Sequence, residues 1–299
     1  MTTTPVELRK CGKVISCGTG FYYRSQWEGV EQIFLVTNHH VLTGNSPRER
    51  DLAPQGDSVV FYYHTESKNP GAVVGIETPI FTKSGKQIWI EHPNAIVDIA
   101  VIPMVFSFPM TPEWHTVDKT LAAVDLDISI SDPVTLIGYP RMYLDEKNAL
   151  PIYKTGNIAS EYDYDFNGDP CFIIDIAALH GNSGSPLFAI QKNARIVSDR
   201  ILINAPGSVT KFLGVYSAGV VGKKFIPIQE VRNNGSGVVM DIDLQLGVVW
   251  RAFLIEEALS QNILKDYEVV ARELVAAGGF KYKLSTGLRI SNGAEGAEG

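Results

Sequence analysis

The segment "ALHGNSGSPLF", residues 178–188, sets Ser183 among Gly181, Asn182 and Gly184, with His180 three positions before it and Pro186 three after. An alcohol is a weak nucleophile at its own pKa. It needs a base within hydrogen-bond reach, usually an imidazole held in one tautomer by a carboxylate. Two other segments offer those groups: "LVTNHHVL" carries His39 and His40 at the end of an apolar run, and "IVDIAVIP" carries Asp98 at the start of one. Each segment alone is ordinary, since Gly-Asn-Ser-Gly fills polar turns and a histidine pair or aspartate beside a strand is common. Their joint appearance, in this order, points to acyl transfer.

Chain order narrows the choice of architecture. All six histidines (39, 40, 64, 92, 115, 180) precede Ser183, which excludes the α/β-hydrolase order with histidine last; "GNSGS" also fails the GxSxG elbow pattern. No aspartate precedes His40, so the order Asp, His, Ser is excluded if that histidine is the base. His, Asp, Ser remains, with separations of 58 and 85 residues.

These residues must be positioned by β structure. Short runs rich in β-branched and aromatic residues, "GTGFYYR", "QIFLVTNHHVL", "DSVVFYYH", "KQIWIE" and "VDIAVIPMVF", are followed, after a Pro-rich bridge near residues 105–123, by "DPVTLIGYP", "LPIYKTGNIAS", "CFIIDIAAL", "SPLFAI", "TKFLGVYSAGVV" and "LGVVWRA". The pattern predicts two all-β modules, which barrels or a sandwich would satisfy. Helical spacing appears only late, in "WRAFLIEEALSQ" and "LKDYEVVARELVAAGG", the second ending on Gly278 and Gly279. The closing "SNGAEGAEG" has nothing apolar to bury and is expected to be disordered.

With "LVTNHHVL", "VDIAVI" and "GNSGSPLF" in place, the chain resembles the trypsin-like, chymotrypsin-fold serine peptidases. The intracellular and Deg-type bacterial branches are the most similar. The likeness spans about residues 10–260 and includes "GTGFYY", "LIGYP", "KTGNIAS" and "LGVVWRAFLIEEAL". It implies two six-stranded-type antiparallel β-barrels with a C-terminal helical segment. Residues 1–115 would carry His and Asp, residues 116–255 would carry Ser, residues 256–285 would form a helical cap, and residues 286–299 a disordered tail. With 49 residues after Trp250, no peptide-binding PDZ module is expected there.

The resemblance also implies roles. His40 would be the base, because the family's histidine is the one directly followed by Cys or Val, and His39 would be structural. Asp98 would orient the imidazole, Ser183 would attack, and the amides of Gly181 and Ser183 would form the oxyanion hole. The pocket floor would lie at Ala177 and Ala178, with His180 at the mouth. Val215, Tyr216 and Ser217 would pair with an extended polypeptide substrate. No carboxylate stands at the floor, so small or medium apolar residues are expected before the scissile bond. Asn182 replaces the aspartate that pairs with a cleaved N-terminus in the digestive branch, so no such cleavage is expected. Ser185 stands where many relatives have glycine.

Composition excludes several classes. A net charge of -7 with Lys and Arg scattered argues against nucleic-acid binding. No run approaches the ~18 apolar residues of a membrane span, and "MTTTPVELRK" lacks a signal-peptide core, so a cytoplasmic enzyme without membrane contact is expected. Cys11, Cys17 and Cys171 match no metal-ligand spacing, and neither disulfide, metal nor cofactor is expected. A cytosolic endopeptidase needs restraint, which points to a regulatory protein partner. An inactive protein-binding module of the same fold and a serine esterase using the same triad are the alternatives.

Overall fold

Alternating apolar and polar residues, broken by Gly, Pro, Asn and Asp, make each short run a strand with one face to bury. In the computed structural model, residues 2–27, 29–65, 68–104, 112–113, 115–197, 200–227, 237–260, 273 and 281–288 are described. The first half forms β1 (Thr3–Lys10), β2 (Lys13–Trp27), β3 (Val30–Thr37), α1 (His39–Thr43), β4 (Ser58–His64), β5 (Ala72–Pro79), β6 (Ile90–Glu91) and β7 (Ala100–Pro103). After β8 (Val117–Asp118) and α2 (Lys119–Ala122) come β9 (Pro133–Gly138), β10 (Ile152–Ile158), β11 (Cys171–Asp175), β12 (Pro186–Val197), β13 (Arg200–Pro227), β14 (Gly237–Arg251), α3 (Phe253–Ser260) and β15 (Lys281–Thr286).

The strands make two sheets, in agreement with the all-β, double-barrel expectation. The second is a closed barrel of six strands, ordered β10-β11-β14-β13-β12-β9. The first is ordered β15-β5-β4-β1-β2-β3-β7-β6, with β8 added in parallel beside β2. It therefore has nine strands among the described residues rather than six.

Each sheet closes over its own core. Leu8, Tyr22, Leu35, Phe61 and Ile102 fill the first, and Leu136, Phe172, Ile174, Leu187 and Val249 fill the second. A third cluster joins them: Phe21, Phe34 and Val36 meet Phe188, Phe212 and Trp250, with Phe21 edge-on to Phe212 at 5.5 Å between ring centroids. α3 buries Leu254, Ile255 and Leu259 against this seam. Its Glu256 accepts hydrogen bonds from Tyr23 (2.8 Å) and Ser25 (3.0 Å) on β2.

The C-terminal end differs from the helical reading. α3 agrees with "FLIEEALS", but Lys281–Thr286 is a strand paired along β5 from Glu77 to Ala72. Without it β5 would be an exposed sheet edge, and pairing satisfies those backbone groups. Leu288, placed in the expected tail, is buried with Val73 and Tyr139. Most of "LKDYEVVARELVAAGG", much of the Pro-rich bridge, and residues 289–299 lie outside the described residues.

Candidate active site

β3 runs into α1 without a loop, so His39 and His40 open a five-residue helix that ends at Gly44 in a left-handed conformation (φ 79°). The helix start is tied down by Asn38, whose side-chain amide donates to the Asp98 carbonyl at 2.6 Å. His40 Nδ1 lies 2.6 Å from Asp98 Oδ2, and because a carboxylate only accepts, Nδ1 carries the proton. The His40 backbone N–H donates to Asp98 Oδ1 (3.1 Å), and Ser217 Oγ donates to Oδ2 (2.6 Å). Burial alone would push the Asp98 carboxyl up, yet the hydrogen bonds from His40 and Ser217 hold it below the usual carboxylate value.

The Asp98 loop has its own clamp. The Arg50 guanidinium donates to the carbonyls of His92 (2.6 Å) and Val97 (3.2 Å). His39 is buried and faces away, with Nε2 3.3 Å from Glu91. Glu91 is itself held low, against burial, by His39, Trp89 and Arg50.

Ser183 lies in a turn drawn against the first sheet. Thr19 of β2 donates its N–H to the Ser183 carbonyl (2.8 Å). A Cβ on Gly18 would stand 2.5 Å from Val41, the neighbour of His40, and 2.8 Å from the Ser183 carbonyl oxygen, so glycine lets the two segments close on one another. Gly181 (φ 93°) and Gly184 (φ 86°) take the left-handed backbone that side chains resist. The His180 carbonyl accepts from Arg141 N (2.5 Å) and that of Asn182 from Ser185 N (2.9 Å), which fixes the two peptides that carry the Gly181 and Ser183 N–H groups. Neither N–H has an acceptor among the described residues, and neither His40 Nε2 nor Ser183 Oγ has a partner there.

The expected substrate residues are distributed differently. Val215 and Tyr216 are buried in the cores, because β13 is paired on both sides at Val215 (with Pro186 and Trp250), and Tyr216 bonds through its backbone to Gly184 and Ser185. The β12 pairing ends at Val215 and the β14 register shifts after Tyr216, so the strand opens at Ser217, the last residue of the expected wall, and Ala218 beyond it. Ser217 directs its hydroxyl to Asp98 rather than to the cleft alone. Ala177 is exposed, Ala178 belongs to the barrel core, and His180 is exposed. A cavity of about 560 Å³ is lined by His40, Asp98, Ser217, Ala218, Ile96 and Trp250 among others.

Sequence reasoning missed Asn38, Arg50 and Thr19. Only Thr19 left a local signal: a hydroxyl between two glycines, directly before the aromatic run Phe21–Tyr23. Among the described residues no group of three or more His, Cys, Asp and Glu side chains converges on a point, and no helix is long and apolar enough to cross a membrane.

No curated protein matches the chain in sequence. Among solved structures it is similar to the serine endoprotease from Yersinia pestis (14% identity, 87% of this chain and 63% of that one, TM-score 0.43). It is also similar to the Rv3671c protease in its inactive form (14%, 87% and 88%, TM-score 0.37). A thermostable serine protease, AL20, from an extremophilic microorganism is a third (12%, 86% and 95%, TM-score 0.40). The chain thus spans less than two thirds of the Yersinia pestis protein. The trypsin-like peptidase domain family matches residues 18–196. That match runs from the Gly18 contact beneath Ser183 through all three motif segments and takes in more than half of the chain, so this protein belongs to the trypsin-like peptidase family.

Proposed function

We propose that the protein is a serine endopeptidase in which His40, Asp98 and Ser183 form the catalytic triad. The observation that carries the reading is the His40 imidazole, held at Nδ1 by a buried carboxylate 2.6 Å away and with Nε2 unengaged among the described residues. In this reading Nε2 takes the Ser183 hydroxyl proton as Oγ attacks the scissile carbonyl, and the Gly181 and Ser183 amides receive the oxyanion. His40 then returns the proton to the leaving amine. Water attacks the acyl-enzyme by the same route, releasing the second product and the free serine.

The substrate is an extended polypeptide laid along β13 from Ser217 onward, where the pairing with β12 has ended. Neither Ala177 nor Ala178 brings a charge to the first pocket, which favours small or medium apolar residues before the scissile bond. A peptide library with a dominant Arg or Lys preference would refute that. The three cysteines are free, which fits a reducing cytoplasm. Restraint there would come from a protein partner. The deciding experiment is fluorophosphonate labelling of wild type and Ser183→Ala, with casein and a simple ester as substrates. Labelling lost in the variant, with casein cleaved, supports the peptidase. Ester turnover without casein cleavage makes it an esterase, and an unlabelled wild type makes it a binding module.

A further inference from the structure

Thr19 lies in β2 between Gly18 and Gly20 and is wholly buried where the first sheet meets the Ser183 turn. Its hydroxyl is used in both directions: it accepts from the Tyr139 N–H (3.1 Å) and donates to the Gly181 carbonyl (2.7 Å). Its backbone is equally committed, since the N–H reaches the Ser183 carbonyl (2.8 Å) and the carbonyl accepts from Thr37 Oγ1 (2.7 Å). Two glycines clear the space. A Cβ on Gly138 would stand 2.8 Å from Thr19 Oγ1, and one on Gly181 would press into the Tyr139 carbonyl oxygen. Tyr139 is buried as well, and its phenol donates to the Thr3 carbonyl at the start of β1 (3.2 Å).

We propose that Thr19 is a positioning residue whose hydroxyl sets the plane of the peptide after Gly181, and with it the turn that presents the Gly181 and Ser183 amides. The inference rests on the reading of Ser183 as nucleophile, and extends it to a strand residue that touches no substrate. A buried strand position favours an apolar β-branched side chain, so a hydroxyl is retained where it has partners to satisfy. Here it has a donor and an acceptor, and only a group that both gives and takes a hydrogen bond serves both. Valine has the same shape but would leave the Tyr139 N–H and Gly181 carbonyl unpaired, and rotation of the Gly181 peptide is the direct way to re-pair them.

The test compares full-length wild type, Thr19→Val, Thr19→Ser and Ser183→Ala. Labelling that is present in wild type and absent in Ser183→Ala upholds the reading of Ser183 on its own. Per labelled site, Thr19→Val is expected to lose roughly 10- to 100-fold in kcat and in affinity for a peptide aldehyde, whose adduct needs the oxyanion amides. Its affinity for the cleaved product should stay within about twofold, and Thr19→Ser should restore most of the loss. A lower thermal midpoint with unchanged kcat and aldehyde affinity would show a merely structural role and overturn the proposal. Amide hydrogen exchange across residues 179–185 decides the matter even if wild type fails to label. Exchange should quicken in Thr19→Val and recover in Thr19→Ser, and unaltered exchange overturns the proposal.

Discussion

Replacing Gly181 with alanine perturbs the turn at its tightest point. The residue sits at φ 93°, where a side chain costs about 1–2 kcal/mol. The added methyl would also press into the Tyr139 carbonyl oxygen and stand 2.8 Å from Arg141 N. Both atoms are backbone, so relief comes by rotating the turn rather than moving a flexible side chain. Rotation breaks the bonds from Arg141 N to the His180 carbonyl and from Thr19 Oγ1 to the Gly181 carbonyl, at about 1 kcal/mol each. Stability should therefore fall by about 3–4 kcal/mol. Activity should fall further, because a displaced oxyanion donor costs roughly 100- to 1,000-fold in kcat. Gly12→Ala is the control: it has φ 79° and no atom within 4 Å of the new methyl, so only the backbone cost of about 1–2 kcal/mol applies, with kcat unchanged. Urea denaturation gives the stabilities, and peptide turnover per labelled serine gives kcat. If Gly181→Ala matched Gly12→Ala in stability and kept wild-type kcat, the steric argument and the oxyanion role would both fall.

Asp98→Asn should leave the fold intact but lower kcat by about 10⁴, since an amide can donate toward His40 Nδ1 and stabilise the wrong tautomer; a loss under about tenfold in a peptide assay would contradict the triad. His64 is buried against the Pro70 carbonyl, and burial lowers its pKa to about 4. The unfolded imidazole binds its proton near 6.5, so stability is full above that pH and is lost as pH falls from 6.5 through 4, by about 2–3 kcal/mol. Urea midpoints in wild type should show this loss, and His64→Gln should lack it. Ser185 buries a hydroxyl that has no partner among the described residues, so Ser185→Ala should hold or raise the thermal midpoint. A loss above about 1 kcal/mol would show that the hydroxyl is satisfied in solution.

The proposed triad of His40, Asp98 and Ser183 was legible in the sequence because its chemistry resides in residue type and chain order, which survive any detail of packing. The alternating runs likewise disclosed the second barrel, where β10 keeps every other side chain toward solvent. The burial of Val215 and Tyr216 was not legible because strand position is set by register. "LGVYSAG" reads as one strand, but the shift after Tyr216 that frees Ser217 depends on what β12 and β14 do beside it. β15 was hidden for a related reason. "KYKLST" is short, and its partner from Ala72 to Glu77 lies some 200 residues earlier, so no local pattern separates a covering strand from a tail.

The residues that escaped sequence reading share a physical character: each acts on backbone rather than on substrate. Asn38 holds the Asp98 carbonyl, Arg50 holds the loop before it, and Thr19 holds the turn that bears Ser183. Such roles need only a donor or acceptor at the right point, and many residue types can supply one, so the sequence carries little trace of them. Their placement follows from the seam between the sheets. His40 and Asp98 come from the first sheet and Ser183 from a loop of the second, so no single element can set the distance between them. The aromatic contact of Phe21 with Phe212 brings the sheets together, but side-chain packing tolerates small slides that acyl transfer does not. Directional bonds across the seam, from Thr19 to Gly181 and Ser183 and from Ser217 to Asp98, remove that freedom. A change at Thr19 or Ser217 should therefore impair catalysis more than stability, whereas a truncation of Phe212 should do the reverse.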